Sequence, residues 1–91
     1  MADDARVQSA WRPDDIVAYE EMRDLAVETQ TLLIDRARRG GQDAEDSRAE
    51  ASNLRHETLA VDGFDRSAID EQTRRIAQRL IELRAEVYPD D

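Results

Sequence analysis

Residues 66–87 read RSAIDEQTRRIAQRLIELRAEV, and their spacing decides the fold. Ile69, Thr73, Ile76, Leu80, Leu83 and Val87 recur by threes and fours, with Ala77 and Ile81 alongside. That period winds one apolar seam along an α-helix and does not suit a strand, where side chains alternate by twos. Pro89 stops the helix, and it biases Tyr88 toward an extended backbone. Upstream, Asp62-Gly63 marks a turn, and Asp65 is placed to cap the new helix. Phe64 and Ile69 then hold the two positions of a hydrophobic staple, and Ser67 to Asp70 offers a capping box one register later.

Working back from that seam, a second helix is predicted from about Asp43 to Val61. Its face, made of Ala44, Ser47, Ala51, Leu54, Thr58 and Val61, is built mostly from small residues. Such a face approaches a neighbour closely but buries little apolar area, so this helix is expected to be the least stable of the set. Gly40-Gly41 precedes it and suits the left-handed conformation that ends helices.

The first helix is predicted from about Pro13 to Arg39. Proline fits its first position, where a missing N–H costs nothing, and Asp14 and Asp15 complement the positive helix end. Ile16, Tyr19, Met22, Leu25, Ala26, Leu32, Leu33 and Ala37 form its stripe, with Val27 and Ile34 widening it. A helix flanked by two others needs such a broad face. Arg36, Arg38 and Arg39 suit the negative helix end. The expected architecture is therefore all-α: a small antiparallel three-helix bundle over residues 13–88. A flexible arm over residues 1–12 precedes it and a short acidic tail, 89–91, follows. A helical hairpin completed by a dimer or a partner is the alternative.

Composition bounds function. The 91 residues carry 22 Asp and Glu against 13 basic residues, all arginine, for a formal charge of −9. GC-rich coding produces such lysine-free sequences; arginine also favours planar, bidentate ion pairs. A charge of this sign argues against direct nucleic-acid binding and against anionic membranes, and points to a basic protein partner in a hetero-oligomer. The absence of Lys and Cys removes Schiff-base, thiolate and zinc-thiolate chemistry. His56, the single histidine, lies among charged residues of the second helix and reads as solvated. No cofactor is implied. The opening MADDARVQSA lacks the basic and apolar regions of a signal peptide, so a cytoplasmic location is expected.

Glu20, Asp24 and Glu28 are spaced by four and share a helical face. Asp43, Glu45, Asp46 and Glu50 crowd the start of the second helix. Residues 19–25, YEEMRDL, are similar to the carboxylate motif of the all-alpha nucleotide pyrophosphohydrolases, which implies a Mg²⁺-dependent enzyme. The second motif of that family is approached only by Asp43 and Asp46, without the apolar run that follows it. Trp11 is a candidate interface anchor, or a staple on Ile16. Arg36, Arg38, Arg39 and Arg74, Arg75, Arg79 are local basic sets suited to ion pairs between helices.

In length, helix layout and acidic first helix the chain resembles the epsilon antitoxins of zeta-type kinase toxins. The resemblance covers the whole chain in outline and rests on no diagnostic motif. It implies that the first helix, from Ile16 to about Glu28, plugs the nucleotide pocket of a kinase. The reading is thus a non-catalytic antitoxin or immunity subunit, with Trp11, Ile16, Tyr19, Glu20, Asp24 and Glu28 facing the partner. Two other readings stand beside it: a secretion or phage-assembly chaperone and the pyrophosphohydrolase. Val27, Ile34 and Leu59 lie off the main stripes and are candidates for a further partner-facing patch.

Overall fold

The computed structural model describes residues 13–87, which form three helices and no strand. Helix α1 spans Pro13–Arg38, α2 spans Ala44–Ala60 and α3 spans Arg66–Val87. The expected ends are met within about one residue. Trp11, the arm at 1–12, Tyr88 and the tail at 89–91 lie outside the described residues.

Local chemistry sets the boundaries. Gly40 and Gly41 take φ of 79° and 93°, the left-handed region that side chains with a Cβ disfavour. The Gly40 N–H reaches back to the Ala37 carbonyl at 3.1 Å, which satisfies an orphan carbonyl of the last α1 turn. At the other turn the Asp62 carboxylate accepts the Phe64 N–H at 2.9 Å. The Asp65 carboxylate then accepts the Ala68 N–H at 3.0 Å, so Asp65 caps α3 as its position predicts. Phe64 is 65% exposed, and the expected staple therefore adds little burial. Asp43 makes no side-chain cap on α2; its carboxylate bonds Arg36 instead.

Ion pairs reveal the topology. Arg66 at the start of α3 meets Asp15 at the start of α1, and Arg36 near the end of α1 meets Glu86 near the end of α3. Those two helices therefore run parallel. Arg79 meets Glu50 and Arg75 meets Glu57, so α2 runs the opposite way. The chain goes up, down and up, with α1 packed along both other helices.

The core lies along α1 in two clusters. Ala18, Met22, Ala26, Ile69 and Ile76 form one, with Tyr19, Leu25, Leu54 and Val61 packed on it. Leu33, Ala51 and Leu83 form the other, with Leu32 beside them. Met22, Leu33, Ile69, Ile76 and Leu83 are fully buried, each contributing roughly 1.5–3 kcal/mol of transfer free energy. The α2 face is buried as its spacing predicts, at Ser47, Ala51 and Thr58. These small residues let α2 lie close to α1.

Three expectations are corrected. Ile16 is 36% exposed, not core, and its place is taken by Ala18 two residues on. Val27 and Ile34 do not widen the buried stripe; with Leu59 they stand out in solvent, in keeping with their position off the main stripes, and Ile81 beside the α3 seam is exposed as well. Polar residues enter the core instead. Thr29 is fully buried and returns its hydroxyl to the Leu25 carbonyl at 2.7 Å. Gln72 is buried and donates to Thr58 Oγ1 at 3.4 Å, joining α3 to α2.

Candidate functional site

The first half of α1 carries most of the residues that the sequence offers as candidates for a partner-facing surface. The structure brings Ile16, Tyr19, Glu20 and Asp24 together around one shallow hollow, with Arg23 and Val27 completing its lining. Tyr19 is half-buried against the core, so it ties the hollow to the Met22 cluster. Ile16 lends an exposed apolar edge. Glu20 and Asp24 are exposed and make no ion pair among the described residues. Their charge is open to a partner.

Glu28 departs from that group. A spacing of four overshoots a 3.6-residue turn by about 40° per step, so Glu28 stands about 80° around the helix from Glu20. It is there that it meets Arg84 of α3 in an ion pair. Sequence spacing alone cannot distinguish a carboxylate facing solvent from one facing a neighbouring helix.

Many of the remaining carboxylates are engaged by arginine, although Glu21, Glu45, Asp46 and Glu71, like Glu20 and Asp24, make no ion pair among the described residues. Arg79 grips Glu50 bidentately, through Nε at 2.5 Å and Nη2 at 2.9 Å, and also reaches Glu82. The Glu50 carboxylate, followed by Glu82, holds the Arg79 guanidinium in its charged form more firmly than usual. Bonds from Arg79 and then Gln78 keep Glu82 below the ordinary carboxylate range. Arg66 is likewise held charged by Asp70 and Asp15. These pairs orient helices; as exposed or half-exposed contacts each adds little stability.

The two carboxylate sets suggested by the YEEMRDL string do not converge. Asp43 is bonded to Arg36, twelve residues and roughly 18 Å along α1 from Asp24. Among the described residues no group of three or more His, Asp or Glu side chains is placed to hold a metal ion. His56 is exposed. No described helix is long and apolar enough to cross a membrane.

Sequence reasoning passed over Arg23, Arg48 and Arg55. All three are exposed and none makes an ion pair among the described residues. For Arg55 the signal was present in the local spacing, since the residues three and four away are Ala51, Ser52, Thr58 and Leu59, none of them acidic; Arg23 and Arg48 each have a glutamate three residues earlier, Glu20 and Glu45, so for them spacing gave no such sign. Compared with protein-family models, curated proteins and solved structures, the chain matches none.

Proposed function

We propose that this chain is a non-catalytic binding subunit that masks a basic surface of a protein partner with the first half of α1, as an antitoxin or immunity protein does. The observation that supports this most directly is the hollow at Ile16, Tyr19, Glu20 and Asp24, where two uncommitted carboxylates flank an apolar edge. Carboxylates so placed can occupy positions that a basic pocket reserves for phosphate groups, the phosphate site of a nucleotide-binding toxin being the concrete case. The overall charge of −9 adds long-range attraction toward a basic surface. Glu28 takes part only after releasing Arg84, so its contribution is smaller than that of Glu20 or Asp24.

Affinity capture from the natural host at low and high salt tests this. One stoichiometric basic protein is expected, released at high salt and lost from the charge-reversed variant Glu20→Arg/Asp24→Arg. Glu28→Arg alone is expected to retain more binding than that double variant. A partner that binds the double variant as tightly as the original chain overturns the assignment of this face.

A further inference from the structure

Two adjoining hollows run along the outer seam between α1 and α2, sharing Gln30 and Arg55. Together they make one trough with Val27, Ile34 and Leu59 along it and Arg23, Arg48 and Arg55 around it. The three apolar side chains are 60%, 43% and 56% exposed. The other lining residues are uncharged, so no carboxylate lines the trough in a chain that carries 22 of them. Elsewhere Arg36, Arg39, Arg66, Arg75, Arg79 and Arg84 are bound to Asp or Glu, while Arg38 and Arg74, like the trough arginines, make no ion pair among the described residues. Arg48 and Arg55, with Arg23 at the end shared with the acidic hollow, thus meet three exposed apolar side chains at one seam.

From these features we infer that the α1/α2 trough is a second docking surface, which receives an acidic amphipathic helix of a partner protein. From Arg23 to Ile34 the trough follows α1 for roughly 17 Å, about three helical turns. A helix laid there places apolar residues at i, i+3 or i+4, and i+7 against Val27, Leu59 and Ile34. Its flanking Glu or Asp side chains meet the arginine forks, whose N–H groups donate bidentately to carboxylates. Charge argues against a second copy of the chain as occupant. A face-to-face pair would bring three unpaired arginines from each copy together without a carboxylate between them. Nucleic acid is disfavoured by the apolar line along the trough, which has no aromatic side chain for bases to stack on, and by the charge of −9. The trough shares Arg23 and Val27 with the acidic hollow at Glu20 and Asp24, but Arg48, Arg55 and Leu59 line the trough alone, so substitutions at those three test it separately from the masking function.

The probe is a capped Leu/Glu amphipathic peptide of about 18 residues, long enough to hold helix once docked. Amide shifts of the labelled chain are followed during titration, with a Leu/Lys peptide of the same pattern as the opposite-charge control. Saturable shifts are expected along Val27, Ile34, Arg48, Arg55 and Leu59 with the acidic peptide and not with the basic one. Arg48→Glu/Arg55→Glu and, separately, Leu59→Asp are expected to weaken binding at least about tenfold. All three positions are exposed, and unchanged helicity and melting temperature verify that the variants fold. Three results overturn the inference: shifts confined to other faces, a dimer in sedimentation that Leu59→Asp dissociates, or a single-stranded oligonucleotide that shifts the trough amides in place of the peptide.

Discussion

The bond between Gln72 and Thr58 makes a prediction whose size follows from its geometry. Both residues are buried, at 4% and 5% exposure, and the Nε2 to Oγ1 distance of 3.4 Å is near the long limit of a hydrogen bond. Among the described residues no buried side-chain nitrogen or oxygen lacks a partner. Thr58→Val keeps the shape but removes the acceptor, leaving a buried amide N–H unsatisfied. That costs about 1–2 kcal/mol, the lower part of the range for such groups because the lost bond is long. Gln72→Leu has the opposite character. The stranded Thr58 hydroxyl can turn to the carbonyl four residues back, as Thr29 does to Leu25 and Thr73 does to Ile69. Its replacement by an apolar side chain of similar volume is then neutral, or stabilising by about 1 kcal/mol. In the Gln72→Leu background Thr58→Val should cost almost nothing, so the cycle carries a coupling of about 1–2 kcal/mol. Urea unfolding of the four proteins, followed by circular dichroism at constant m-value, reads this directly. At about 4–8 °C per kcal/mol for a chain of this size, melting temperatures report it too. A Thr58→Val cost that is the same in both backgrounds refutes the argument, since it would mean that the hydroxyl's worth does not depend on the Gln72 amide.

Two further outcomes are expected. Asp65→Ala removes the carboxylate that accepts the Ala68 N–H and should destabilise the fold by about 1 kcal/mol, while Asp65→Asn retains most of the cap; thermal unfolding of both checks this. Because the folded state holds Glu82 below its ordinary range, its contribution is present above the unfolded-state value and is lost as pH falls through the folded one; Glu82→Gln should therefore flatten the acid limb of stability against pH, measured by urea midpoints at low salt.

Much of the architecture was legible before folding was considered. Pro13, Gly40-Gly41 and Asp62 to Asp65 act through backbone chemistry local to each turn, so they place the helix ends wherever the helices go. The α3 seam and the small-residue α2 face are narrow enough to leave one buried orientation, and both are buried as their spacing requires. Net charge, too, follows from composition.

The candidate sites depended on tertiary structure. Apolar residues wrap widely around α1, and period alone fixes their angles to one another but not the rotation of the helix against two neighbours. That rotation turned Ala18 and Thr29 inward while Ile16, Val27 and Ile34 faced out. It also carried Glu28 to Arg84, 56 positions away in the chain, and left Glu20 and Asp24 uncommitted. Gln72 could enter the core only because folding brought Thr58 to it. Spacing within a helix determines which residues share a face; only the packing of whole helices determines whether that face meets the core, an ion-pair partner or solvent.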